Sequence, residues 1–281
     1  MTVQIVTGFS PALWKQVGER MVSTFDRHWP ANYSIVDYHE EPVSLKRGEL
    51  RYYADCAGWN DFERRHRDHA EARGLKEPLG RPWRPKEKAG GYSYRFDAYR
   101  FCRVAFALED AAQQCGPGIE FLVWLDGDTY THADVPPTWI EDLMSDKGGT
   151  RPLDPQPQTE VDFATPFRAN KHPEIGMQIY RLQNVHARQL IRSFRLMYHA
   201  DVFMECSEWH TAHILWELAE GMASGKAEAA LGLEHIDGLR LGNLSLEPKG
   251  HVFATGLPSM YCDHLKGNRK RGLKSRELRQ W

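Results

Sequence analysis

The spacing of the first forty residues constrains the fold more than any other feature. VQIVTGF, residues 3–9, reads as a buried strand. Ser10 and Pro11 follow as a helix cap and a first helical residue. Trp14, Val17, Met21, Phe25 and His28 recur at helical spacing, so this helix lays one face on a sheet. Pro30 stops it, and YSIVDYH, residues 33–39, reads as a second strand. Strand, helix and strand at this spacing begin an α/β sheet. With 281 residues the chain has room for one large core or two modest domains.

The rest of the chain continues the alternation with one break. Residues 43–92 are polar, rich in Arg, His and Pro, and end in Gly90-Gly91, which predicts an inserted polar, mobile flap. Tyr94, Ala98, Phe101, Ala105 and Leu108 mark the apolar stripe of the next helix, with Asp97, Arg100 and Arg103 off it. The stretch 144–160 reads as a Pro/Gly-rich loop, VDFATPF (161–167) as a strand, and 176–180 as another. Leu190, Ile191, Phe194 and Tyr198 mark a helix, and Ser207 is expected to cap a last one carrying Ala212, Leu215, Trp216 and Met222.

Several classes of function are disfavoured. The formal net charge of −2 gives no general attraction for nucleic acid. Five scattered cysteines, without a CxxC pair, argue against a disulfide framework or a zinc ribbon, and a reducing cytoplasmic setting is expected. No stretch approaches the roughly 20 apolar residues of a membrane span. The turn at 116–118 lacks GxGxxG, which weakens a dinucleotide-binding reading.

FLVWLDGDTY, residues 121–130, is the first stretch that carries chemistry. An apolar run ends in Asp126-Gly127-Asp128. In extended backbone, residues i and i+2 face the same way, so both carboxylates leave the strand's end together. Ligands of open α/β sheets sit beyond the carboxyl ends of strands. Two neighbouring carboxylates repel unless a cation or proton relieves them, and Mg²⁺ or Mn²⁺ does so while bridging to phosphates. Gly127 between them has no side chain to keep a ligand away.

YCDHLKGNRK, residues 261–270, is the second. The imidazole of His264 suits an Mn²⁺-like ion. Lys266 and Lys270 are point charges for phosphate, and Gly267 permits close approach of backbone N–H groups to the same anion. One segment thus offers a metal ligand and a clamp for a departing diphosphate.

WLDGDT resembles the DxD motif of GT-A-fold glycosyltransferases, which use nucleotide-diphosphate sugars. The late segment is similar to the HxxGxxK motif of retaining GT-A enzymes of the glycogenin type, matched here by His264, Gly267 and Lys270, with Arg271-Gly272 where that family has Pro-Trp. The resemblance implies a single GT-A-like domain over residues 1–281: a mixed, mostly parallel sheet flanked by helices, with the segment 261–281 closing the donor site. It implies metal ligation by Asp128 and His264, and an Asp126 shared between ribose and metal. Donor contacts are then expected from Thr7 and Gly8 at the nucleotide base, from Arg100 at a phosphate or the sugar, and from Lys266, Gly267 and Lys270. The expected reaction is Mn²⁺- or Mg²⁺-dependent sugar transfer to a hydroxyl acceptor, with retention.

Glu208 in CSEWHTAH is expected to meet the acceptor or act as a catalytic carboxylate, although a carboxylate near a helix start needs no function. Trp209 beside it reads as core, and His210 and His213 as weaker candidates. His66 and His69 have a metal-like spacing within RRHRDHAEAR, where a solvated helix is the better reading. Aromatic and basic residues interleave in YRFDAYRF, which leaves a nucleic-acid acceptor such as a modified DNA base as a minor alternative. The rivals to a glycosyltransferase are a nucleotidyltransferase, which would want a Gly-rich basic loop after the first strand, and a non-catalytic nucleotide- or nucleic-acid-binding module.

Overall fold

A computed structural model of the protein describes residues 2–43, 48–145, 151–152, 161–166, 172–223, 239–244 and 256–265. Its strands are β1 (Thr2–Phe9), β2 (Tyr33–His39), β3 (Glu49–Tyr52), β4 (Ile119–Leu125), β5 (Thr129–Thr131), β6 (Arg151–Pro152), β7 (Phe163–Thr165), β8 (Met177–Arg181), β9 (Leu241–Asn243) and β10 (Cys262–His264). Eight form one mixed sheet in the order β3-β2-β1-β4-β8-β7-β9-β6. The run from β3 to β4 is parallel, and β8 closes against β4 in the antiparallel sense. β5 and β10 form a separate two-stranded antiparallel ladder. The α/β class and the mixed sheet between helices are therefore as expected.

The alternation of side chains along each strand decides the two cores. Val3, Ile5 and Phe9 of β1 pack with Ile35, Val123 and the helix Glu19–His28 through Met21, Val22 and Phe25. Val6, Val36, Leu122 and Trp124 face the opposite way, onto the helices Arg103–Gln114, Val185–His199 and Thr211–Ala223. The first helical segment starts as the sequence predicts. Ser10 accepts a hydrogen bond from Leu13 N at 3.3 Å, Pro11 stands at its first position, and a π-turn over Trp14–Gly18 leads into Glu19–His28.

Four expectations need correction. The stretch expected to be a flap is packed structure over residues 48–92: β3 extends the sheet beside β2, and the helix Trp59–His66 puts Trp59 and Phe62 into the main core. Its aromatic residues carry the fold while most of its charges face water, the buried Glu87 excepted. His66 is not solvated either. It is buried, with Nε2 at 2.7 Å from Asp201 and its ring 4.5 Å from that of Phe62. The helix expected from Tyr94 onward is broken at Asp97, whose side chain accepts from Arg100 N and starts a new short helix, Ala98–Phe101. Ser207 does not cap the helix Thr211–Ala223. Its Oγ lies 3.1 Å from His213 Nε2 instead.

Among the described residues, no helix is long and apolar enough to cross a membrane.

Candidate metal centre and its surroundings

β4 runs through the middle of the sheet, and Phe121–Leu125 are fully or nearly fully buried. The chain turns where that strand stops: Thr129 N donates to Asp126 O at 2.8 Å, and Asp126 N donates to Gly176 O at 3.0 Å. The two carboxylates therefore meet across a tight turn and not along extended backbone. Gly127 has a packing role that the sequence did not reveal. A Cβ there would lie 2.5 Å from the Phe9 ring and 2.9 Å from Gly8 O, so its missing side chain lets the turn pack on the end of β1. Trp124 Nε1 donates to Asp126 Oδ1 at 2.7 Å and aims that carboxylate.

The turn leads directly into β5, and β5 selects β10 as its partner. Thr129 stands opposite His264 in register, and Leu265 N donates to Asp128 O at 2.9 Å. This ladder brings a histidine distant in sequence onto the two aspartates. His264 Nε2 lies 2.6 Å from Asp128 Oδ1 and 3.5 Å from Asp126 Oδ2. One ligand atom from each of the three residues falls within 4.8 Å of the others. Burial is graded: the His264 side chain is 3% exposed, Asp128 9% and Asp126 27%, so the cluster opens on the Asp126 side.

On the inner side, Glu174 Oε1 is 3.6 Å from His264 Nδ1. That is an ion-pair distance and not a hydrogen bond; a carboxylate that accepts from the second ring nitrogen is the usual way a ligating imidazole is oriented, and Glu174 stands where a small shift would let it do so. Two carboxylate oxygens and one imidazole nitrogen, converging in a buried pocket with one open side, fit a divalent ion of the Mg²⁺–Mn²⁺ group, with the nitrogen favouring Mn²⁺. Buried Thr129 Oγ1, next to the cluster in sequence, has no hydrogen-bond partner among the described residues.

The other expected site residues distribute unevenly. Thr7 is fully buried in β1 opposite Asp37, and its Oγ1 has no hydrogen-bond partner among the described residues. Gly8 is inside β1, where a Cβ would lie 1.9 Å from Tyr53 Oη; the packing of Tyr53 is sufficient reason for that glycine. Arg100 is exposed, with its guanidinium 5.4 Å from the centre of the Phe101 ring. Lys266, Gly267 and Lys270 lie outside the described residues.

Glu208 sits in the loop before the helix Thr211–Ala223 and is heavily engaged. Oε1 accepts from Arg84 at 3.2 Å and from Arg95 at 3.4 Å. Oε2 faces His210 Nε2 at 2.9 Å and His172 Nε2 at 3.5 Å. Burial works to raise its pKa, but the hydrogen bonds with His172 and His210 outweigh it and hold the carboxyl far below its ordinary range. Trp209 is core, packed edge-on against Phe96 and Phe203.

His172 and Glu174 escaped sequence reasoning. Their partners are tens of residues away, so no local spacing reveals them. The available signal was a pair of polar residues, HPEIG, placed just before a buried strand.

No protein-family model and no curated protein matches the chain. Among solved structures, it is similar to the crystal structure of a glycosyltransferase involved in the glycosylation of the major capsid of PBCV-1. The TM-score is 0.48 and the identity 12%, over 97% of this chain and 100% of that one. A likeness at that level carries no argument about chemistry, which rests on the site's own geometry.

Proposed function

We propose that the protein transfers a sugar from a nucleotide-diphosphate sugar to a hydroxyl acceptor, using a divalent ion held by Asp126, Asp128 and His264. One observation carries this reading: a DxD turn at the end of a central β-strand and a histidine from the far end of the chain share one buried spot. Two neighbouring carboxylates repel, and a divalent cation shared with His264 would relieve that repulsion. An ion there would neutralise charge on the departing diphosphate.

The chain's own groups then have distinct tasks. Trp124 fixes the Asp126 carboxylate, Glu174 faces His264 from behind, and the β5–β10 ladder keeps His264 in reach of both aspartates. The bond from the anomeric carbon to the diphosphate oxygen breaks while the acceptor oxygen bonds to the same carbon. In the retaining course we favour, the acceptor's proton passes to the leaving phosphate oxygen, so no free carboxylate base is needed. Glu208 agrees with that assignment. Both its oxygens are occupied by Arg and His groups, which suits a positioning role on the acceptor side better than proton abstraction.

The test is incubation with a panel of nucleotide sugars and Mn²⁺. Slow, EDTA-sensitive hydrolysis of one donor is expected, and D128N should abolish metal-dependent donor binding while far-UV circular dichroism stays unchanged. Undiminished activity in D128N would remove the metal assignment. Donor binding without turnover, indifferent to EDTA, would identify a binding module instead, and release of pyrophosphate from nucleoside triphosphates would identify a nucleotidyltransferase.

A further inference from the structure

A second group of ligand-type atoms stands apart from the DxD cluster. His172 Nε2, Glu208 Oε2 and His210 Nε2 all lie within 4.8 Å of one another. We propose that these three atoms form a second cation site, built for a zinc-like transition ion and independent of the donor-site metal. The proposal goes beyond the glycosyltransferase reading; only the metal count of its test draws on the DxD cluster.

The geometry carries it. Four-coordinate zinc with bonds of about 2.0–2.1 Å sets neighbouring ligand atoms roughly 3.3 Å apart. Here the two imidazole nitrogens approach the same carboxylate oxygen at 2.9 and 3.5 Å, from either side of that distance. Two imidazoles and one carboxylate make the donor set of three-ligand zinc sites that leave a fourth position open to water. Magnesium, which prefers oxygen ligands, is disfavoured by the same set. The DxD cluster has the inverse composition, two carboxylates and one imidazole, so the two sites should sort ions differently.

The surroundings are built to hold the three groups still. Glu208 Oε1 is tied to Arg84 and Arg95, which turns Oε2 toward the histidines. Arg95 is itself buried and held by both oxygens of Glu87, each at 2.9 Å. The backbone is pinned where Trp209 N donates to Arg95 O at 2.6 Å. The rings of Tyr94 and Phe101 wall His210, with centroids at 5.7 and 6.3 Å. Outer groups of this kind commonly fix ligand orientation. His210 is 9% exposed and His172 35%, so the cluster is closed on one side and reachable from the other.

The site also has a place in the molecule. His172 is two residues from Glu174, the carboxylate that faces His264. An ion joining His172 to Glu208 and His210 would tie this segment to the loop before the helix Thr211–Ala223, and so steady the wall behind the donor site.

The experiment counts metal on the full chain, stripped with chelator and titrated with Zn²⁺, and with Co²⁺ to read coordination from its visible absorption. The parent should hold two equivalents. D128N should lose one and keep a Co²⁺ spectrum of the four-coordinate kind. H172Q and H210Q should lose the other, or bind it at least tenfold more weakly. H172Q is the safer variant, since its side chain is the most exposed of the three; circular dichroism checks its fold. A parent that holds at most one equivalent, removed by D128N, overturns the proposal. So does a second equivalent that H172Q leaves untouched.

Discussion

Gly127 shows how much a single hydrogen atom can hold in place. Its hypothetical Cβ would sit 2.5 and 2.7 Å from two atoms of the Phe9 ring and 2.9 Å from a backbone oxygen. A ring in a packed core cannot retreat without moving its neighbours, and Phe9 is 1% exposed. G127A should therefore cost about 1–3 kcal/mol in stability, and push the turn that carries Asp126 and Asp128 out of register with His264. Isothermal titration with Mn²⁺ should show at least a tenfold loss of affinity. Gly118 is the control: a Cβ there meets nothing within 4 Å, so G118A should leave both stability and metal binding unchanged. Equal Mn²⁺ affinity in G127A and the parent would mean that the turn is not what sets the ligand geometry.

At the scale of elements, the β5–β10 ladder and the segment 48–92 decide what the site can be. The ladder rests on few bonds, among them Leu265 N to Asp128 O at 2.9 Å. L265P removes that donor and should release His264, lowering Mn²⁺ affinity more than tenfold. L265A keeps the N–H, so it should lose stability from the emptied core position but bind Mn²⁺ far better than L265P. Equal binding in the two variants would refute the role given to the backbone. F62A tests the other element. If the stretch after β3 were a dispensable flap, the change would cost little; as core it should cost about 3–5 kcal/mol in urea unfolding. The same two elements mark where sequence reading succeeds and stops. β1, the Ser10–Pro11 helix start, β2 and the strand ending at Leu125 were all legible, because local apolar spacing and turn residues determine them. The chemistry of the residue types marked Asp126, Asp128 and His264 as ligand-type groups on two separate segments, and only the resemblance to GT-A enzymes put them in one place. The pairing that unites them was not legible, because register between β5 and β10 is a long-range property. Trp59 and Phe62 were hidden by the charges around them, and Glu174 by the absence of any nearby partner in the chain.

At the scale of the whole molecule, one buried carboxylate makes folding itself depend on pH. Asp37 is fully buried in β2, and neither of its oxygens has a hydrogen-bond partner among the described residues. Burial, aided by the negative charge of Asp26, raises its pKa from 3.8 to about 7. The sign follows from which state holds the proton. Below the unfolded value the carboxyl is protonated in both states and costs nothing. Between that value and about 7 the unfolded chain gives up the proton while the folded protein keeps it, so this residue's contribution to stability falls as pH rises. Above about 7 both states are ionised, and the full penalty, of order a few kcal/mol, persists. D37N has no proton to lose. Its stability relative to the parent should rise steadily from pH 4 to pH 7 and then level off, whatever offset the buried amide itself introduces. Urea midpoints for both proteins at pH 4.5, 6 and 8 measure this directly. A difference that stays constant across those values would show that Asp37 is ionised in the fold throughout, and that some cationic or hydrogen-bonding group compensates it.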